Sequence, residues 1–165
     1  MYHDILNHSL TFYMKPELEF ILQAEAILAD PIAIGQTFEG HRRIIPILDG
    51  SFEGPDLKGT IVKTGAADWQ YTRADNVTEA RATYALETDD KVIIQVENFG
   101  LRHGPEDVIK RLAEGKDVEP AEYYFRTNPR FIAPEGKYDW LNKSIFVGTG
   151  ARYSNSIKLW FYRVC

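Results

Sequence analysis

Two-residue alternation in short segments, each cut off by turn residues, is what most constrains this chain. In residues 18–27, Leu18, Phe20, Leu22, Ala24 and Ala26 alternate with Glu19, Gln23 and Glu25. Successive side chains on a strand point to opposite faces, so this spacing makes one apolar and one polar face. The Ala and Glu content would also suit a helix, but alternation is the stricter pattern and predicts a strand. Residues 80–88 (ARATYALET) and 92–99 (VIIQVENF) read as a hairpin across Asp89-Asp90-Lys91. In its second strand Val92, Ile94 and Val96 share a face that Asn98 closes. Residues 57–64 and 67–73 predict two strands meeting at Gly65, with a turn at Asp75-Asn76. Residues 123–126, 143–153 and 157–164 are three more strand-like segments.

The remaining segments are read from their punctuation. Pro31, Gly35 and Gly40 mark a loop, Asp49-Gly50 and Glu53-Gly54-Pro55 read as turns, and Gly148-Thr149-Gly150-Ala151-Arg152 reads as a barrel bend. One helix is predicted over 105–114: Pro105 stands at its start, Glu106 and Asp107 follow, Lys110 and Arg111 come later, and Gly115 ends it. Eight to ten short strands with one helix favour a closed antiparallel barrel or a sandwich.

The charge balance narrows the partners. A net charge of −5 and a pI near 5.4 argue against nucleic acid and against an anionic membrane surface, since Arg42-Arg43 is the only strong basic doublet. The single cysteine, Cys165, excludes an internal disulfide. The first ten residues, MYHDILNHSL, carry no signal-peptide pattern, and no stretch approaches the roughly 18 apolar residues of a membrane helix, so a cytoplasmic protein is expected. Aromatic content of 13% suits strands or a ring-lined cavity.

The segment GAADWQYTR, residues 65–73, sets Asp68, Trp69 and Gln70 in the middle of a predicted strand. Aspartate is depleted from strands and costly to bury unpaired. Strand parity puts Asp68 and Gln70 on one side and Trp69 and Tyr71 on the other. Desolvated by aromatic walls, Asp68 would have a raised pKa and could act as general acid or base. The plainer reading is a structural aspartate paired with an arginine. Arg126, which shares a strand face with Tyr124, is the expected partner, or else a two-pronged clamp for a carboxylate ligand. Tyr84 reads more readily as core than as catalyst. Asn98 and Arg102 flank a glycine-containing bend, where loop capping competes with ligand binding. His103, ahead of the helix, reads as exposed, and Trp140 and Trp160 as core or cavity wall. The four histidines are scattered without metal-ligand spacing, and no nucleophile elbow, phosphate loop or dinucleotide fingerprint occurs.

Several of these stretches together resemble one family, domain of unknown function 3237, also called uncharacterised protein family 0311. The resemblance is carried by Pro31 with Ile34-Gly35, by GHRRIIPI (40–47) and GSFEGP (50–55), and by GAADWQ (65–70) and LETDD (86–90). Asn98 with GLRHG (100–104), then EYYFR (122–126) and Trp140-Leu141-Asn142, complete it in family order. It spans about residue 18 to the C-terminus and leaves residues 1–16 outside. It implies a small β-barrel and no established function. Members usually carry glycine where this chain has Lys91, so that turn is a departure.

The expected architecture is therefore an all-β, antiparallel small barrel of calycin type with one short helix: an N-terminal extension over 1–17, then a single domain over 18–165. Two functions are carried forward. The first is a cofactor-independent enzyme of isomerase, cyclase or lyase type acting on a small organic molecule inside the barrel. The second is a non-catalytic small-molecule-binding barrel. The expected site has Asp68 and Arg126 as catalytic residues and Trp69, Gln70, Tyr84, Asn98, Arg102, Tyr124 and Trp140 against the substrate, with no metal. A homodimer is expected from the apolar strand faces such barrels leave over.

Overall fold

The alternating segments become the staves of one sheet that closes on itself. A computed structural model describes residues 15–165, so the expected N-terminal extension lies almost wholly outside the described residues. The strands are β1 (Leu18–Leu28), β2 (Ile32–Thr37), β3 (Gly40–Glu53), β4 (Lys58–Ile61), β5 (Ala67–Thr72), β6 (Thr78–Thr88), β7 (Ile93–His103), β8 (Tyr124–Ile132), β9 (Ile145–Arg152) and β10 (Ser156–Val164). Neighbours run β1-β10-β9-β8-β7-β6, then β4 and β5 share one place between β6 and β3, and β3 returns to β1. All pairings are antiparallel, giving a closed barrel of eight staves with β2 paired to β3 outside the ring. Closure removes the exposed edges that an open sheet of this size would present.

The two-residue period sorts side chains cleanly. On β8, Phe125, Thr127, Pro129 and Phe131 are buried, while Tyr124, Arg126, Asn128 and Arg130 are exposed. One end of the barrel is filled with apolar side chains: Leu22, Leu86, Ile94, Val96, Phe131, Phe146 and Phe161 are all buried. The Phe131 ring meets Phe146 and Phe161 edge-on, with centroids 4.9 and 5.9 Å apart. Truncating either of the fully buried rings, Phe146 or Phe161, to alanine would cost about 3–5 kcal/mol. A 3-10 turn over Asp139–Lys143 caps this end with Leu141. It is tied down through Asp90, which accepts hydrogen bonds from Thr88 (2.6 Å), Tyr138 (2.8 Å) and Lys137 (3.0 Å).

At the other end α1 (Glu106–Ala113) follows β7, with Val108 packed against Val118, Tyr123 and Phe125. No helix among the described residues is long and apolar enough to cross a membrane.

Four local expectations give way. Residues 32–37, read as loop, form β2, because residues 37–40 make the hairpin turn that lets it pair with β3. Asp49-Gly50 lies inside β3 rather than in a turn. Gly50 is there because a Cβ would stand 2.5 Å from the Glu25 carbonyl oxygen on β1. The bends expected at Gly100 and at Gly148–Gly150 are strand interiors of β7 and β9, where the glycines face neighbouring side chains instead of turning the chain. Lys91 takes the left-handed conformation (φ 68°) at the β6–β7 turn, the geometry that glycine meets without strain.

Candidate functional site

Asp68 pairs with Ile45 of β3 and Ala82 of β6, both inward-facing positions, so its carboxylate enters the barrel. Between Asp68–Ala82 and Tyr71–Glu79 the β5–β6 ladder is interrupted. In that gap the Arg81 amide donates to Asp68 Oδ1 at 2.9 Å. Two residues along the same face, Gln70 Nε2 donates to Asp68 Oδ2 at 2.5 Å. Gln70 Oε1 in turn accepts from Arg43 Nε (3.0 Å) and Nη2 (2.8 Å). The aspartate thus splints two strands and ends a directional chain running Arg43 to Gln70 to Asp68.

The carboxylate lies beside an interior space lined by Ala24, Ala26, Ile45, Tyr84, Asn98 and Leu159, among others. The cavity has a volume of about 40 Å³. That is room for a few waters. Alanines at 24, 26, 80 and 82 and Gly100 keep the space open. Gly150 lets the Phe125 ring lie against β9, since a Cβ there would come within 2.6 Å of the ring.

Three polar atoms in this lining are buried with no hydrogen-bond partner among the described residues: Tyr84 OH, Asn98 Oδ1 and Thr127 Oγ1. Their residues are 5%, 6% and 7% exposed. Buried polar atoms are nearly always paired, so three orphans on one cavity wall mark where a ligand or ordered water belongs.

The charges gather at the α1 end. Arg102 is buried on β7, opposite Phe125, with its guanidinium 5.7 Å above that ring. Half-buried Arg152 lines the cavity, and its guanidinium donates to the carbonyls of Tyr153 and Ser156 (2.8 Å to the latter). Its amide donates to Tyr123 OH at 2.9 Å. Half-buried Arg43 completes the trio. Burial pushes the Asp68 carboxyl above the usual carboxylate range, against the opposing pull of Gln70, the Arg81 amide, Arg102 and Arg43. Burial, then repulsion from Arg43 and Arg152, brings Arg102 down to about 10, which leaves it charged at neutral pH. Tyr84 is pushed up by burial and by the Asp68 charge, so its hydroxyl stays a donor.

Of the residues singled out in the sequence, Asp68, Gln70, Tyr84 and Asn98 line one cavity and Arg102 stands at its end. Five stand elsewhere. Arg126, expected beside Asp68, is on the outer face: Phe125 and Thr127 take the inside of β8, and Arg126 donates to the Phe125 carbonyl (2.9 Å) over the Tyr124 ring. Tyr124 is therefore also outside, where His103 stacks on it at 4.9 Å. Trp69 is 47% exposed, by the same parity that turns Asp68 inward. Trp140 packs on Phe146 in the closing turn at the far end. Trp160 is half-buried, and its ring nitrogen donates to Gln23 at 2.7 Å.

Arg43, Thr127 and Arg152 were missed. Arg43 was legible, since it shares the alternating face of Ile45 and Ile47. Arg152 was hidden by reading residues 148–152 as a bend. Among the described residues no group of three or more His, Cys, Asp or Glu side chains is placed to hold a metal ion.

Comparison with known proteins agrees with this architecture. The family model described as "Protein of unknown function (DUF3237)" matches residues 16–164. A UPF0311 protein of Rhodopseudomonas palustris is 38% identical over 153 residues, covering 92% of this chain and 99% of its own. The crystal structure of a conserved protein of unknown function from that organism superposes with a TM-score of 0.88 at 36% identity, covering 92% of this chain and 99% of the other. A beta-barrel like protein from Acinetobacter baumannii gives 0.79 at 37% identity (92% and 97%). A structure described as an enzyme from Penicillium herquei shares the fold at a TM-score of 0.67 and 20% identity (91% and 95%).

Proposed function

This chain belongs to the DUF3237 family, and from that premise we propose that it is a cofactor-independent acid–base enzyme acting on a small organic molecule held inside the barrel. One observation carries the reading: a buried carboxyl with a raised pKa shares a cavity with three polar atoms that have no partner of their own. A carboxyl whose pKa is raised by burial holds its proton more readily, and giving and taking that proton is the requirement for general acid–base catalysis. Both Asp68 oxygens already accept one hydrogen bond, and each keeps a second lone pair for a substrate proton. The Tyr84 hydroxyl, the Asn98 amide NH2 group and the nearby arginines would donate to an oxyanion that develops as the proton moves. Isomerisation, cyclisation and elimination need only these parts and a shaped pocket. A barrel of the same fold described as an enzyme is compatible with this reading.

A second reading, a non-catalytic binding barrel, is favoured by the two bonds that already fix Asp68 to the wall. Incubating a small-molecule extract with the wild-type protein and with Asp68→Asn, followed by mass spectrometry, separates the two. Catalysis predicts a compound consumed by the wild type and spared by a folded variant. A compound retained by both and consumed by neither supports the binding barrel.

A further inference from the structure

We propose that the interior site takes a small organic carboxylate, its charged head at Arg102 and its apolar body along Ala24, Ala26, Ile45 and Leu159. The inference rests on the reading that the interior is the ligand site, and it is independent of whether catalysis occurs there.

Charge counting comes first. Arg152 lines the cavity, Arg102 lies over the lining ring of Phe125, and Arg43 is bonded to the lining side chain of Gln70; Asp68 is the carboxylate these charges face among the described residues. Of the three only Arg102 is buried, since Arg43 and Arg152 are half-buried and reach solvent. A buried cation without a partner is costly, so a fold that keeps one beside a cavity is suited to receive an anion.

The three arginines are not equivalent. Arg43 spends Nε and Nη2 on Gln70, and Arg152 spends donors on the backbone of its own hairpin. Arg102 is 9% exposed and, among the described residues, its guanidinium donates to no acceptor; the charged or titratable groups around it are Arg43, Arg152, Asp68 and Tyr123. The Phe125 face beneath it gives some electrostatic return but uses none of its N–H groups. A guanidinium with a free two-pronged edge matches a planar two-oxygen anion better than a tetrahedral or single-oxygen one.

The rest of the cavity specifies the body. Its walls beyond Asp68 and Gln70 are mostly alanine, isoleucine and leucine, with Phe125 beside the head position. Tyr84 OH, Asn98 Oδ1 and Thr127 Oγ1 offer further hydrogen bonds. A bare inorganic anion would leave this apolar wall unused.

The test is a titration of the intact protein, followed by calorimetry, with benzoate, its neutral isostere benzamide, and inorganic phosphate. Benzoate is expected to bind at least about tenfold more tightly than either control, because only it satisfies both the fork and the wall. Arg102→Met is expected to remove that preference, and Arg102→Lys to restore part of it. Asp68→Asn is expected to hold benzoate at least as tightly as the wild type, since a competing negative charge is gone. Benzamide or phosphate binding as well as benzoate overturns the proposal on the wild-type protein alone. So does a folded Arg102→Met variant with unchanged benzoate affinity. A benzoate preference that persists while no extract compound is ever consumed leaves this inference standing and removes the catalytic reading.

Discussion

Gln70 Nε2 donates to Asp68 Oδ2 at 2.5 Å while the other end of the same amide accepts from Arg43. The amide has one orientation that serves both neighbours, because arginine can only donate and a carboxylate mainly accepts. This gives Asp68→Asn a cost that size alone does not suggest: an amide nitrogen facing Gln70 would set donor against donor.

Replacing Gln70 with leucine removes both ends of that bridge and leaves Asp68 and Arg43 without it. Loss of a buried hydrogen bond to a charged group costs about 1.5–3 kcal/mol. In a chain of this size that is a fall in Tm of roughly 3–10 °C, measured by thermal unfolding. The Asp68 pKa should rise further, since the donor that opposes its burial is gone. An unchanged Tm would mean the bridge is not formed in solution.

Stability should depend on pH through Asp68 with a definite sign. Its folded pKa lies above the ordinary value of 3.8, so in the window between the two the folded state holds the extra proton. Stability from this group therefore falls as pH rises through that window and levels off above it. Urea unfolding of wild type and Asp68→Asn across acidic to neutral pH isolates the effect: the variant should gain on the wild type as pH rises. A constant difference would show that Asp68 titrates alike in both states.

Asp90 carries the opposite sign. Thr88, Lys137 and Tyr138 hold its carboxyl well below the usual range, so its contribution is present above the unfolded value and lost as pH falls. Asp90→Asn should lower the Tm at neutral pH and loosen the far cap while leaving benzoate affinity unchanged. A loss of benzoate binding would mean that the cap and the cavity are coupled.

Arg126→Ala is expected to change stability by no more than about 0.5 kcal/mol and benzoate binding not at all, as for a surface substitution. Its guanidinium lies outside the barrel on Tyr124. A large effect on binding would place the site on the outer face instead of the interior.

The barrel and half of its site were legible because both follow from parity. Alternation in 18–27 and in β6 and β7 gave the strands, and the placing of Asp68 with Gln70 and of Asn98 with Ile94 gave their common face. Parity within a strand does not say which face is inside. That is why Arg126, two residues from Tyr124, was assigned inward when Phe125 and Thr127 hold that side. Glycine was the second source of error. At 50, 100, 148 and 150 it signals a close approach between neighbouring strands or side chains, and from sequence alone that looks the same as a turn. Arg152 disappeared into such a misread bend. The pairing of Gln70 with Arg43 joins residues 27 apart and required the β3–β5 register.

The most direct test of the central claim is a carbon-13 NMR titration of the Asp68 side-chain carboxyl, assigned by comparison with Asp68→Asn. A proton-transferring group in a desolvated cavity should titrate with a midpoint above the ordinary aspartate value of 3.8, and the midpoint should move when benzoate occupies the site. A midpoint at or below that value, indifferent to benzoate, would make Asp68 an ion-paired strut in the barrel wall and contradict the catalytic role proposed for it.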